Sequence, residues 1–145
     1  MIYTKQTKKA INIAYNAHQG QFDKYGLPYI LHPIHVAEQM NTEEECIVAI
    51  LHDVVEDTDI TMEQLEKDFS YTVIEALTLL TRDKTKDYME YIRKLSDNPI
   101  ARNVKLADLQ HNTDPTRLKF LTAHDNARNK KYKIAFEFLN QSTKK

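Results

Sequence analysis

The chain has 145 residues, of which 41% are apolar, and it contains only two glycines and four prolines. This length suits one domain with a substantial core, and the scarcity of turn residues favours helices over a β fold. Because 20 basic residues nearly balance 21 acidic ones, the formal charge of −1 creates no general attraction for a polyanion, so nucleic acid is not an expected partner.

The sequence contains no apolar run of signal-peptide or membrane-spanning length. We therefore expect a cytoplasmic protein that has no membrane partner. The single cysteine, Cys46, lies among apolar residues and is expected to be a buried free thiol. A homo-oligomer is compatible with the sequence, but no feature specifies one.

Apolar periodicity and capping signals predict a single all-α domain over residues 1–145 with seven or eight helices. The first helix is predicted over residues 5–18, and the loop after it contains both glycines. Pro33 at a first helical position predicts a second helix, with His32 flanking it. The T-x-x-E pattern that begins at Thr42 predicts a third helix. Further helices are predicted to start at Thr61, Ser70, Asp87, Asn98 and about residue 128.

The third predicted helix runs through AILHDVVEDT, residues 49–58, and carries four ionisable side chains. They are His52, Asp53, Glu56 and Asp57. At 100° per residue they fall within an arc of about 140°, and aliphatic residues fill the opposite side. A solvated acidic face is one interpretation. However, no lysine or arginine in this stretch offsets the three carboxylates, which would repel one another unless a cation joined them, and a divalent metal ion is the most economical such cation.

Two other stretches place polar residues within helical apolar patterns. In YILHPIHVA, His32 lies at the helix start, and His35, one turn later, is its local competitor. In VKLADLQHN, Asp108 lies between apolar residues, with polar residues about one turn away on the same side, namely Lys105, His111 and Asn112. Each of these residues alone is typical of an ordinary core or surface position. Taken together with the third helix, they predict a metal site.

Mixed imidazole and carboxylate ligands suit a divalent ion such as Mn²⁺, Fe²⁺, Mg²⁺ or Zn²⁺, and the residue types do not choose among these ions. An octahedral ion with four protein ligands keeps open positions for water and substrate. Such an ion would lower the pKa of bound water and polarise a phosphoryl oxygen, which favours hydrolysis. Glu56 and Asp57, one turn from the ligands, would then orient the water or move its proton.

Four stretches, in their order and spacing, resemble the hydrolase domain of the RelA/SpoT homologue family, which lies within the HD-domain metal phosphohydrolases. They are AHQGQ (17–21), PYILHP (28–33), ILHDVVEDT (50–58) and VKLADLQHN (104–112). The resemblance covers most of the chain and implies the same all-α fold. It implies a metal site, usually for Mn²⁺, with the ligands His32, His52, Asp53 and Asp108. It also implies that Glu56 and Asp57 are a catalytic pair.

The reaction that the resemblance implies is removal of the 3′-pyrophosphate from ppGpp or pppGpp, which leaves GDP or GTP. The resemblance also implies nucleotide contacts by Lys24 and Asn112. Where the family commonly has an arginine before that lysine, next to the base, this chain has Asp23, an anion that cannot stack on a base. Tyr25 follows and supplies an aromatic ring that could stack instead.

These departures leave other substrates open, such as the adenine alarmone ppApp, NADPH or a nucleoside monophosphate. A catalytically silent nucleotide-binding module is a hypothesis of another class. For the substrate phosphates, basic side chains of the last helix are candidates beside Lys105, with ordinary solvated residues as the alternative. These candidates are Arg128, Lys130, Lys131 and Lys133.

Overall fold

Helices make up the regular structure of the chain, as seen in a computed structural model that describes residues 1–117 and 123–143, with side chains as far as residue 141. Within those residues the chain forms nine α-helices, one 3₁₀ turn and an isolated antiparallel bridge between Phe22 and Pro28. The predicted all-α fold is therefore confirmed. The elements are α1 (Lys5–Ala17), α2 (Leu31–Glu38), α3 (Glu43–Leu51), α4 (Val54–Asp57), α5 (Met62–Glu66), α6 (Tyr71–Leu80), α7 (Tyr88–Leu95), α8 (Pro99–Asn112), the 3₁₀ turn (Pro115–Arg117) and α9 (Ala123–Thr143).

Side-chain caps fix the starts of most helices, as the sequence predicted. The Thr42 hydroxyl accepts a hydrogen bond from the main-chain N–H of Glu45 at 3.2 Å, which starts α3. The Asn98 side-chain oxygen accepts from the N–H of Ala101 at 3.0 Å and starts α8. These bonds satisfy main-chain donors that have no partner within the first helical turn. The same kind of bond is made by Thr61, Ser70 and Asp87.

The prediction of one continuous third helix was wrong. α3 ends at Leu51, His52 and Asp53 form a turn, and α4 begins at Val54. The imidazole Nδ1 of His52 donates to the carbonyl oxygen of Ala49 at 2.5 Å. A side chain that takes the place of a main-chain donor in the helical ladder is a known cause of a kink, and it explains the break here.

Two other helix boundaries differ from the prediction. α2 begins at Leu31, so His32 lies inside the first turn of the helix instead of flanking it. Pro33 is tolerated there because the N–H groups of a first turn have no helical acceptor. The last helix already includes Ala123, whereas the prediction began it at about residue 128.

α3 forms the centre of the core. Every residue from Cys46 to Leu51 is buried, and the helix packs against α1, α2, α6 and α8. Cys46 is a buried free thiol, as predicted. His52 is buried as well, so α3 brings its C-terminal end into the interior beside α2 and α8. None of the described helices combines the length and the apolar character needed to cross a bilayer.

Candidate active site

Four side chains from three parts of the chain converge at the C-terminal end of α3. They are His32 of α2, His52 and Asp53 of the turn after α3, and Asp108 of α8. One nitrogen or oxygen atom from each lies within 4.8 Å of the corresponding atoms of the other three. These are the four residues predicted as metal ligands, and the structure places all of them together. His35, the local competitor of His32, is exposed and lies outside the cluster.

The distances within this quartet fit a single small divalent ion. His32 Nε2 lies 2.8 Å from Asp108 Oδ1 and 3.9 Å from Asp53 Oδ2. His52 Nε2 lies 3.0 Å from Asp53 Oδ2 and 3.4 Å from Asp108 Oδ1. Neighbouring ligand atoms at about 2.1 Å from one ion lie about 3 Å apart when the angle between them is near a right angle. Among the described residues, His52 Nε2 is buried and has no partner with hydrogen-bond geometry. A buried nitrogen without such a partner is expected where a metal ion binds its lone pair.

The tautomer of His52 is fixed by the helix that precedes it. Because Nδ1 donates its proton to the Ala49 carbonyl, the neutral imidazole carries its lone pair on Nε2, the nitrogen that faces the quartet. The carbonyls of the last turn of a helix lack helical donors, so this acceptor is available only because α3 ends here. The break at His52 therefore positions a potential metal ligand.

The tautomer of His32 depends on another histidine. Its Nδ1 lies 2.7 Å from Nδ1 of His111, and that same His111 nitrogen also lies 3.0 Å from Nη1 of Arg117. Partial burial, together with the positive charge of Arg117, lowers the pKa of His111 to about 4, so its imidazole is neutral at physiological pH. Because His111 Nδ1 accepts a hydrogen bond from Arg117, it carries the lone pair of the neutral ring and acts as an acceptor towards His32 Nδ1 as well. His32 therefore carries its proton on Nδ1 and its lone pair on Nε2.

Replacing His111 with alanine is expected to weaken Mn²⁺ binding by about 10- to 100-fold, because the imidazole of His32 loses the acceptor that orients it. Calorimetric titration of the purified protein with Mn²⁺ measures this change. His35→Ala is the matched control, since His35 stacks on His111 with ring centroids 4.0 Å apart but makes no hydrogen bond to His32. Equal affinities for the two variants would contradict this orienting role.

Asp108 connects the quartet to α8 and to a buried lysine. Its Oδ2 accepts from Lys105 Nζ at 2.9 Å, and its Oδ1 accepts from Asn112 Nδ2 at 3.1 Å. Burial favours the neutral carboxyl, but Lys105, His32 and His52 outweigh it and hold the pKa of Asp108 well below its usual range. Asp108 is therefore an anion, and its charge is shared between the quartet and Lys105.

Asp53 is held by a tyrosine that the sequence did not single out. The hydroxyl of Tyr29 donates to Asp53 Oδ2 at 2.5 Å. Burial and the negative charge of Asp53 raise the pKa of Tyr29, so the hydroxyl keeps its proton and remains a donor. Tyr29 lies in PYILHP, so the motif contained it, but its contact with a residue 24 positions away is a tertiary feature.

The predicted catalytic pair lies beside the quartet in α4. Glu56 Oε1 accepts from the main-chain N–H of Arg82 at 2.7 Å, which anchors this carboxylate to the chain after α6. The main-chain carbonyl of Asp57 accepts from Gln21 Nε2 at 2.9 Å, and Gln21 in turn is bonded to His18. Partial burial, Asp53 and Glu56 together raise the pKa of the Asp57 carboxyl. The shift brings this pKa closer to the range in which a carboxyl serves as a general acid or base.

Two cavities meet at the quartet. One of about 190 Å³ is lined by Glu56, Asp57 and the side chains around them, and the other, of about 320 Å³, is lined by residues 22–25 and by part of α9. Tyr29, Asn112 and Tyr132 line both cavities. A further cavity of about 400 Å³ lies beside His35 and His111, and none of the four quartet residues lines it. The chemistry is therefore concentrated in the two cavities that share a wall.

The predicted nucleotide contacts line the 320 Å³ cavity, but their surroundings differ from the prediction. Lys24 forms an ion pair with Asp125 of α9. Asp23 accepts from the main-chain N–H groups of Tyr25 and Leu27 at 2.8 and 3.0 Å, so it shapes the turn that ends at Gly26, whose φ of +80° suits a glycine.

Arg117 contributes to this cavity a cation that the sequence does not predict. Its guanidinium lies 3.6 Å from Asp23 Oδ2 and its Cζ lies 5.8 Å from the centroid of the Tyr25 ring. From the sequence alone, Asp23 indicates the loss of a stacking arginine next to the base. In the structure an arginine reaches the same loop from the 3₁₀ turn after α8, 94 positions further along the chain than Asp23.

Mn²⁺ affinity is expected to rise with pH between about pH 6 and 8, by up to about tenfold per unit. Burial opposes protonation of His52, but Asp53 and Asp108 outweigh it and raise the pKa of His52 well above its usual range in the metal-free protein. An imidazole must be deprotonated at the nitrogen that binds a metal, so metal binding by His52 would release this proton, and higher pH favours the metal-bound state. Calorimetric titration with Mn²⁺ in buffers of different protonation enthalpy measures the number of protons that are released on binding. A pH-independent affinity would contradict this coupling.

Comparison with known proteins gives one family and several relatives. The family model described as HD domain matches residues 10–135. The guanosine-3′,5′-bis(diphosphate) 3′-pyrophosphohydrolase of Haemophilus influenzae is 36% identical over 115 residues, covering 69% of this chain and 17% of that protein. The bifunctional (p)ppGpp synthase/hydrolase SpoT of Escherichia coli is 36% identical over 124 residues, covering 74% and 18%. This chain thus spans about a sixth of the length of these two bacterial relatives.

Smaller relatives are similar over more of their length. The guanosine-3′,5′-bis(diphosphate) 3′-pyrophosphohydrolase MESH1 of Danio rerio is 38% identical over 117 residues, covering 72% of this chain and 65% of that protein. Among solved structures, a metazoan orthologue of SpoT that hydrolyses ppGpp matches with a TM-score of 0.73 at 24% identity, covering 98% of this chain and 87% of that one. The structural match shows a shared fold.

Proposed function

Because this chain belongs to the HD-domain family, whose model matches residues 10–135, we propose that it is a metal-dependent hydrolase that removes the 3′-pyrophosphate of an alarmone nucleotide. The observation that carries the proposal is the quartet of two imidazole nitrogens and two carboxylate oxygens within 4.8 Å of one another. The similarity to enzymes named guanosine-3′,5′-bis(diphosphate) 3′-pyrophosphohydrolases supports the choice of substrate. The ion that we propose is Mn²⁺, which the family resemblance implies and which is compatible with mixed nitrogen and oxygen ligands.

In the proposed reaction, a water oxygen forms a bond to the phosphorus that carries the ribose 3′ oxygen, and the bond between that phosphorus and the 3′ oxygen breaks. The products are the nucleoside 5′-diphosphate or 5′-triphosphate and pyrophosphate. A divalent ion held by the quartet would supply charge stabilisation and would lower the pKa of a water molecule. The protein must still accept the proton of the water and provide one to the departing 3′ oxygen.

Glu56 and Asp57 are suited to these two proton transfers. One oxygen of Glu56 is anchored by the N–H of Arg82, and in the described part of the chain its other oxygen makes no hydrogen bond, so it can accept the proton of the water. We assign the proton transfer to the 3′ oxygen to Asp57, whose pKa is raised by partial burial and by the nearby carboxylates of Asp53 and Glu56. Both residues line the 190 Å³ cavity beside the quartet.

For the base, we propose the 320 Å³ cavity and a stacking surface formed by Tyr25. The guanidinium of Arg117 lies over the same ring, which gives this cavity a planar cation and an aromatic face together. Asn112 lines this cavity as well as the catalytic one, so its amide lies where the base and the reacting phosphate would be connected. Because Lys24 is paired with Asp125, it acts as a substrate cation only when a phosphate displaces that carboxylate.

A substrate panel with Mn²⁺ tests the proposal. Release of pyrophosphate from ppGpp or ppApp is the expected result, and the preferred base follows from the ratio of the two kcat/KM values. Turnover of NADPH or a nucleoside monophosphate, with neither alarmone cleaved, would favour a phosphatase of another substrate range. Tight nucleotide binding by calorimetry without turnover would favour the silent binding module, which the complete quartet and the presence of Glu56 and Asp57 argue against.

A further inference from the structure

Two cations share one tyrosine beside the catalytic cavity. The guanidinium carbon of Arg82 lies 4.9 Å and the ammonium nitrogen of Lys131 lies 4.5 Å from the centroid of the Tyr88 ring. Arg82 and Tyr88 line the 190 Å³ cavity that contains Glu56. Arg82 follows α6 and Lys131 belongs to α9, so the tertiary fold brings together charges that are 49 positions apart.

Neither cation is neutralised by a carboxylate. Lys105 pairs with Asp108 and Arg128 pairs with Asp125, whereas the residues that the structure describes provide no ion pair for Arg82 or Lys131. The Nε atom of Arg82 is buried and without a hydrogen-bond partner in this part of the chain. Partial burial, with Arg82 and Arg128 nearby, lowers the pKa of Lys131. Partly buried positive charges that lie close together are unfavourable unless an anion joins them.

The cavity itself requires added positive charge when a polyanion enters. Its walls include the carboxylates of Asp53, Glu56, Asp57 and Asp108. A diphosphate group brings further negative charge, and a single divalent ion offsets only part of it. Lys105 is already engaged by Asp108 at 2.9 Å. Arg82 lines the cavity, and Lys131 lies over Tyr88, which lines it too. Because neither has a carboxylate partner among the described residues, these two cations are available for the phosphates.

Arg82 is also linked to the reacting centre through its main chain. Its N–H donates to Glu56 Oε1 at 2.7 Å. The Cα atom from which the Arg82 side chain extends is therefore fixed relative to the carboxylate that we propose accepts the proton of the water. A phosphate bound by this arginine would thus lie next to the catalytic pair. Exposed lysines elsewhere on α9, such as Lys133, have no comparable connection in the described residues.

We propose that Arg82 and Lys131, brought together at Tyr88, bind the pyrophosphate end of the substrate and hold it as the departing product. This inference rests on the proposed function and assigns the part of the site that recognises the leaving group. Of the basic residues that the sequence suggested on the last helix, it selects Lys131 and adds Arg82 from another element.

The test compares Arg82→Gln, Lys131→Gln and the double variant with Lys133→Gln, an exposed control on the same helix. Inorganic pyrophosphate is titrated into protein loaded with one equivalent of Mn²⁺, and its inhibition of turnover is measured in parallel. Chelation of metal by pyrophosphate is common to all variants and cancels in the comparison. We expect about tenfold weaker pyrophosphate binding for each single variant, a larger loss for the double variant and no change for the control.

The binding and turnover measurements separate this inference from the proposed function. If no alarmone is cleaved but pyrophosphate binding depends on Arg82 and Lys131, the proposed activity fails and the assignment of these two cations to pyrophosphate binding stands. If pyrophosphate binds equally to the wild type and to the folded Lys131→Gln and double variants, the inference is overturned whatever the turnover. Arg82→Lys, which keeps the charge, is expected to recover part of the affinity lost in Arg82→Gln.

Discussion

Replacing Glu56 with glutamine is expected to lower kcat by about two to four orders of magnitude while Mn²⁺ binding remains nearly unchanged. Glutamine keeps the carbonyl oxygen that accepts from the Arg82 N–H, so the fold around α4 is preserved. It replaces the other carboxylate oxygen with an amide group that cannot accept a proton from water. The variant therefore loses the proton transfer and keeps the metal site.

Steady-state kinetics with the alarmone that the panel identifies, together with Mn²⁺ titration of the same preparation, measure this effect. Glu66→Gln is the matched control, because Glu66 is an exposed glutamate at the end of the neighbouring α5. The control should retain wild-type kcat. A Glu56→Gln enzyme with unchanged turnover would remove Glu56 from its assigned role, and one that has lost Mn²⁺ would place Glu56 among the ligands instead.

Replacing Asp53 with alanine is expected to reduce turnover to background and to weaken Mn²⁺ binding by more than about 100-fold. The variant removes the carboxylate oxygen that lies 3.0 Å from His52 Nε2 and leaves three of the four side chains. It also leaves the hydroxyl of Tyr29 without its acceptor. Both changes act on the ion, so the metal and the activity should be lost together.

Thermal unfolding distinguishes this loss of metal from a loss of fold. Mn²⁺ binds the native state, so it should raise the Tm of the wild type and should not raise that of Asp53→Ala. Asp59→Ala, at an exposed position shortly after α4, is expected to behave as the wild type in both assays. Persistent turnover in Asp53→Ala, or wild-type turnover after exhaustive chelation of metal, would end the proposal of a metal-dependent mechanism.

Local features of the fold were predictable from sequence because they depend on few residues. Thr42 and Asn98 cap the helices that they were expected to cap, since a cap is a bond between a side chain and an N–H three residues away. The break after Leu51 was not predictable in this way. No glycine or proline marks it, and its cause is a side-chain hydrogen bond from His52 to the Ala49 carbonyl, which competes with a helical pattern that is otherwise unbroken.

The quartet of proposed ligands was suggested by residue type and motif order, but the contacts that support it were not. His111 and Tyr29 act through contacts with residues 79 and 24 positions away, and no periodicity encodes such contacts. The ion pairs were not predictable from the sequence either. Arg128 and Lys131 belong to the same basic cluster in the sequence, yet Arg128 pairs with Asp125 and Lys131 lies on Tyr88. Only the tertiary arrangement separates a structural cation from one available to a ligand.

The two imidazoles of the quartet differ in how easily substitution can alter them. The orientation of His52 relies on a main-chain carbonyl, which every amino acid at position 49 provides, so replacing that residue leaves the acceptor in place. The orientation of His32 relies on the side chain at position 111, which a single codon change removes. The orientation of His52 therefore does not depend on which side chain stands at position 49, whereas position 111 is a point at which metal affinity would change without replacement of a proposed ligand.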